Sequence, residues 1–256
     1  MRALYAFVAQ GMRQQMAYKV EGFIGIGSTI IWLTLFVGIW SALLSGDPAA
    51  LQAQLIYVIG MRTLSELNLV PTWELGEKFR QGDVALELIK PVSLPVRTMA
   101  GYFGAALFRT IRALPVFVLG WILLRLPAPA WDRTLLFALS AIFSHLITSS
   151  GLIALSMIAL WTVQFDEADN LWSTLVILFS GQLVPLHYLP DWAANVARVL
   201  PFSGIYYTPS AILSGTLQGG ALVQALALQA GWAFILCAVL GLMWRAGGRK
   251  LTIQGG

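Results

Sequence analysis

The residues of this chain best placed to do chemistry are charges set inside apolar runs. Arg62 and Glu66 stand four positions apart, and Arg109 and Arg112 three apart, so on a helix each pair shares one face. Where an unpaired charge costs at least about 2.5 kcal/mol, Arg62 and Glu66 can neutralise each other. They either line a translocation route or subunit interface, or form an internal salt bridge with no substrate role. Base before acid is the weaker order for a helical pair. Arg109 and Arg112 have no acid close in sequence. They can attract an anionic head group, pair with Glu66 across helices, or, with Arg97 just upstream, snorkel to the nearer surface.

Other titratable groups suit structural work. Asp166, Glu167 and Asp169 precede an apolar run, where carboxylates complement a helix N-terminus; contact with basic groups of a partner is the alternative. His145 and His187 are isolated, so no metal site is expected, since one needs more convergent ligands. Packing is expected for one and interface polarity for the other. Cys237 is the single cysteine and lies in the last apolar run, which excludes a disulfide framework. No Ser-His or His-Glu pair stands at helical spacing within an apolar run, and no Asp-rich metal motif is present, which argues against an intramembrane enzyme.

The elements that must hold these residues follow from composition. Of 256 residues 58 % are apolar and only 11 % charged, against roughly 25 % charged in soluble domains. A bilayer is the solvent that explains this, with spans of about 20 residues each. Six spans are read at about 22–44, 55–71, 99–124, 135–161, 171–186 and 221–244 in one all-α membrane domain covering 1–256. Residues 1–21 precede them as an amphipathic interfacial helix, with Leu4, Val8, Met12 and Met16 on one side. The net charge of +4 is not a nucleic-acid signal, because the bases are scattered over loops. Arg2, Arg13, Lys19, Lys78, Arg80, Lys90, Arg97, Arg245, Arg249 and Lys250 fall on one side, against Arg125, Arg133 and Arg198 on the other. Basic loops stay in the cytoplasm, so both termini are expected there.

Two connecting segments are too patterned for plain loops. Residues 73–95, WELGEKFRQGDVALELIKPVSLP, mix acids, bases and apolar residues, as a helix along the cytoplasmic surface requires, and Pro91 stops it. Residues 187–215 are apolar but broken by Pro190 and Pro201, and carry Tyr188, Trp192, Tyr206 and Tyr207. They read as two short helices dipping into the outer leaflet, whose backbone must be covered by protein because lipid cannot satisfy it.

At these segments the chain resembles the ABC type-2 transporter permeases, in particular the six-span permeases of bacterial exporters. The matches are RQGDVALELIKPVSLP (Arg80 to Pro95), SGQLVPLHYLPDW (Ser180 to Trp192) and LPFSGIYYTPSAILSG (Leu200 to Gly215), with ALWT (Ala159 to Thr162) a weaker fourth. The resemblance implies a half-transporter of the bacterial cytoplasmic (inner) membrane. It pairs with a second permease, identical or related, and with two cytosolic ATP-binding cassette subunits that carry ATP and Mg. This chain has no G-x-x-x-x-G-K-[ST] loop and is not expected to be an enzyme or to bind a cofactor itself. By resemblance, the stretch holding Trp73, Glu74, Glu77, Lys78, Arg80, Gly82, Asp83, Leu86 and Leu88 couples to the ATPase. By the same resemblance the outer re-entrant helices, holding Pro185, Pro190, Trp192, Pro201, Phe202, Pro209 and Gly215, close the external end. Arg62, Glu66, Arg109 and Arg112 are candidates for the pathway. A hydrophobic or amphiphilic substrate fits the apolar spans. The rivals are a non-transporting subunit of a membrane complex and, more remotely, a lipid-modifying enzyme.

Overall fold

The computed structural model describes residues 2–17, 19–71, 75–77, 92–158 and 166–254, and every regular element among them is helical. The chain begins with α1 (Arg2–Ala17) and α2 (Lys19–Leu43). A turn at 44–46 leads to Asp47, whose carboxylate accepts the N–H groups of Ala49 (3.1 Å) and Ala50 (3.0 Å). This cap, with Pro48 in the first turn, starts α3 (Pro48–Leu67) earlier than the apolar run from Leu55 indicates. Then follow α4 (Leu94–Leu123), α5 (Trp131–Met157), α6 (Asp166–Phe179), α7 (Asp191–Val199), α8 (Tyr207–Ser214) and α9 (Gly219–Gln254).

Among the described residues four helices are long and apolar enough to cross a bilayer, over Ile24–Leu43, Leu94–Leu123, Trp131–Met157 and Gly219–Gly247, which makes this a multi-pass membrane protein. Three of these present most of their surface outward, whereas 61 % of the apolar window of α5 is buried, so α5 stands at the centre. The second and fifth expected spans correspond to α3 and α6, which fall outside this group. Almost every residue of α3 from Gln54 to Leu67 is covered by protein. A helix sheltered this way can keep Gln54, Arg62 and Glu66, because its neighbours, not lipid, are its solvent. With 14 residues α6 is about 21 Å long, shorter than the hydrocarbon core.

Most hydroxyl side chains on α5 are satisfied within the helix itself. Thr148, Ser149, Ser150 and Ser156 each donate to a carbonyl one turn back. At the amino end of α4, α1 docks through glycine. A Cβ on Gly104 would lie 2.0 Å from the Val8 carbonyl oxygen, and one on Gly11 2.0 Å from that of Gly101. Only bare backbones can approach this closely.

Between α6 and α9 the chain runs through a 3-10 turn at Leu186–Tyr188, α7, a second at Pro201–Gly204, and α8. Two short helices, α7 and α8, thus occupy this segment. All of α8 is buried, with Gly60 of α3 leaving room for Leu213. It ends at Gly215, where φ is 77° and a Cβ would meet the Arg133 guanidinium, so geometry and space both demand glycine. Side chains from the long helices satisfy the irregular backbone. Tyr57 donates to the Gly181 carbonyl (2.8 Å), Ser144 to that of Ile205 (2.6 Å) and Trp232 to that of Val199 (2.8 Å). Gln229 donates to the carbonyls of Gly204 and Ser140 (both 2.8 Å) and accepts the Ser140 hydroxyl (2.7 Å).

Gln229→Leu keeps bulk but strands the buried Gly204 carbonyl and the Ser140 hydroxyl. A loss of about 2–4 kcal/mol is expected, read as a lower unfolding temperature in detergent together with earlier protease cleavage within residues 180–206.

Candidate functional site

The charges singled out above converge where α2, α3, α4 and α5 meet. On α3, Arg62 Nη2 lies 2.9 Å from Glu66 Oε1, forming the expected pair. Thr29 of α2 completes a triangle: its hydroxyl donates to Glu66 Oε1 (3.1 Å) and accepts from Arg62 Nη2 (2.8 Å). The Trp32 ring covers the Arg62 guanidinium at 6.0 Å. Both charged side chains are almost wholly enclosed, so mutual pairing and the hydroxyl are what make their burial tolerable.

Arg109 is 4 % exposed and does not snorkel. Its Nε donates to the Glu66 carbonyl (3.3 Å) and its Nη2 to that of Leu69. Nδ1 of His145 is 3.0 Å from the Leu67 carbonyl, and the Tyr102 hydroxyl donates to Pro71 (2.9 Å). Next in line, the Asn68 amide donates to Ser144 (2.7 Å). A helix end leaves its last carbonyls without intrahelical partners. Here α4 and α5 supply partners for residues 66–71 and so grip the exit of α3. Arg112, three residues beyond Arg109, turns the other way, toward α2, with Phe108 beneath it at 6.0 Å.

A cavity of about 310 Å³ opens beside this network between α5 and α6. Asn68, Thr148, Asp169, Trp172, Ser173, Gln182 and Tyr206 are among its lining residues. Asp169 therefore faces a cavity as well as lying near a helix start; the side chains of Asp166 and Glu167 lie outside the described residues. Among the described residues no three of His, Cys, Asp and Glu gather as a metal site would need.

At the opposite end, Pro185, Pro190 and Pro201 sit at the starts of the first 3-10 turn, α7 and the second 3-10 turn. Trp192 is 75 % exposed, whereas Phe202 is buried edge-on against Trp172, with centroids 5.2 Å apart. Pro209 is buried in α8, and Gly215 ends it. His187 lies among the rings of Tyr57, Tyr188 and Tyr207. Partial burial and the nearby Arg198 guanidinium lower its pKa from the ordinary 6.5.

Of the coupling stretch, residues 75–77 are described and helical. Leu75 is 4 % exposed and packs in one cluster with Leu94, Ile153, Met157 and Leu240, from three long helices. Glu77 is half-buried and makes a polar contact. Trp73, Glu74, Lys78, Arg80, Gly82, Asp83, Leu86 and Leu88, like the ALWT motif, lie outside the described residues.

A family model described as ABC-2 family transporter protein matches residues 50–255, most of the chain. The chain belongs to the ABC-2 transporter family. No individual curated protein matches it. The match covers the whole Arg62, Glu66, Arg109 and His145 network; Thr29 and Trp32 of α2 lie ahead of it. As an ABC-2 permease the chain is a transport component of a membrane, in a family that works with an ATP-binding cassette partner. Sequence reasoning missed Thr29, Asn68, Tyr102, Ser144 and Gln229 in this permease. Their one sequence signal is a lone polar residue within an apolar run.

Glu66→Ala leaves the Arg62 cation enclosed and unpaired and is expected to cost about 3–5 kcal/mol, whereas the double change to Met at 62 and 66 recovers most of it; thermal unfolding of the three proteins in one detergent is the check. For His187, the lowered pKa means the unfolded chain binds its proton first as pH falls. Stability therefore decreases as pH drops below about 6.5 toward the folded-state pKa. His187→Gln should flatten that part of the unfolding-temperature profile.

Proposed function

We propose that this chain is the permease subunit of an ATP-driven exporter that moves a hydrophobic or amphiphilic compound, such as a drug, natural product or lipid, outward. The family match over residues 50–255 is the observation that carries the reading. In this reading the complex holds two ATP-binding cassette subunits, which bind ATP and Mg, and a second permease, identical or related. It resides in the cytoplasmic membrane of a bacterium with both termini inside. The full topology is six crossings, with α3 and α6 added to the four long apolar helices.

Residues 73–95 are the contact with the ATPase. Two features support this. The preceding carbonyls of residues 66, 67, 69 and 71 are gripped by Arg109, His145 and Tyr102. Leu75 is wedged among the start of α4, the end of α5 and the body of α9. A push that reaches Leu75 is thereby delivered to the packed helices. ATP binding favours one arrangement of the helices and hydrolysis releases it, the required bias between two states. Arg62, Glu66 and Arg109 act in this scheme as the internal framework beside the pathway, and the segment from Pro185 to Gly215 as the outer gate. The catalytic step belongs to the partner.

The test is purification of the chain from its native membrane with whatever accompanies it. An ATPase subunit should co-purify, and combined Glu77→Ala, Arg80→Ala and Asp83→Ala should lower substrate-stimulated hydrolysis about tenfold, within the usual range of coupling energies. Purification of the intact chain free of any ATPase, from a membrane that contains one, would sink the proposal.

A further inference from the structure

Arg109 and Arg112 are the same residue one helical turn apart, yet among the described residues only Arg109 finds hydrogen-bond acceptors. Arg109 reaches the carbonyls of Glu66 and Leu69. For Arg112 the described residues supply a ring face, Phe108 at 6.0 Å, and neither a carboxylate nor a carbonyl. A guanidinium carries five N–H donors and stays charged at any relevant pH. In a membrane-spanning helix such a group needs an acceptor.

The surroundings define what that acceptor is. Arg112 lies well inside the apolar stretch Leu94–Leu123, away from both ends of its own helix. Its guanidinium instead extends across to the first turns of α2. A Cβ on Gly22 would come within 2.5 Å of Arg112 Nη1, and one on Gly25 within 3.7 Å of Nη2. Gly22 and Gly25 therefore form the seat in which the planar group lies. Gly22 is the fourth residue of α2, which begins at Lys19, so the guanidinium lies at that end of the helix. The flanks of this crevice are apolar and open: Ile24 is 67 % exposed and Ile111 49 %. Such side chains face acyl chains, so the space before the cation is bounded by lipid.

We propose that Arg112, seated between α2 and α4, binds the phosphate of an anionic phospholipid at the end of the bundle where α2 begins. A guanidinium fork matches a phosphate with two parallel hydrogen bonds, while Ile24 and Ile111 meet the acyl chains below it. The site requires membrane residence and helix packing only, and stands whether or not the exporter reading does.

The experiment uses the full chain, delipidated in detergent, with phosphatidylglycerol, phosphatidylcholine or inorganic phosphate added back. Phosphatidylglycerol should raise the unfolding temperature of the wild type and be retained about fivefold more tightly than by Arg112→Gln, the size of one basic contact near a membrane surface. Arg112→Lys, with the charge but no fork, should fall between. Gly22→Ala should weaken retention with the charge untouched, and it decides the matter if Arg112→Gln does not fold. Equal retention by wild type, Arg112→Gln and Gly22→Ala would overturn the proposal, leaving water as the acceptor. Equal stabilisation by phosphatidylcholine would overturn the anionic requirement, and by inorganic phosphate the lipid itself. If Glu21→Gln alone reproduced the Arg112→Gln behaviour, the partner would be an internal carboxylate.

Discussion

Inside a bilayer no solvent is available to complete a hydrogen bond, so each polar group must find its partner within the protein or at the membrane surface. For long uninterrupted helices this is automatic. The demand becomes selective where α3 ends at Leu67 and where the chain leaves α6 and returns through α7 and α8. The side chains that answer it are Arg109, His145 and Tyr102 at the first place, and Tyr57, Ser144, Gln229 and Trp232 at the second. The same bonds that make irregular backbone tolerable also join the helices. Satisfying the backbone and tying the bundle together are one act.

This explains why polar residues lie inward among the buried apolar ones while much of the outer surface is apolar. On α2, Ile31, Leu35, Ile39 and Leu43 are exposed while Thr29 is buried against Glu66. The central α5 is the reverse of a soluble core helix, with Ser140, Ser144, His145, Ser149 and Ser156 all enclosed. Hydrophobic burial cannot hold such helices together, since lipid is as apolar as leucine. Close backbone approach at Gly11 and Gly104 and hydrogen bonds across helices do that work.

Some of this was legible in the sequence because it depends on residue type and local spacing. Arg62 and Glu66 four apart on one helix could hardly avoid each other. Pro190, Pro201 and Gly215 break an apolar run at intervals that only short helices fit, and α7 and α8 lie between them. What was not legible depends on neighbours distant in sequence. Hydropathy sees that Ala49 to Gln54 is not apolar, and so starts a span at Leu55; it does not see that Asp47 caps the helix at Pro48. Nor does it see that α3 is wrapped by protein and needs little apolar surface. Arg109 was open between lipid, Glu66 and the surface because its actual partners are backbone carbonyls, which carry no residue-specific signal.

The grip on the end of α3 also limits how the molecule can move. A helix end whose carbonyls point at water or at a flexible side chain can fray at little cost. One whose carbonyls at 66, 67 and 69 are held by a guanidinium and an imidazole from two other helices gives up several bonds together if it unwinds. In a low-dielectric interior each of these is expensive to leave unmade. Displacement at residues 75–77, where Leu75 is already locked between α4, α5 and α9, is therefore cheaper as a tilt of packed helices than as a local melting of α3. Packed interfaces of this kind switch between discrete arrangements and do not deform continuously. Displacement of Leu75 is then passed through the packed helices α4 and α5 that also hold the end of α3.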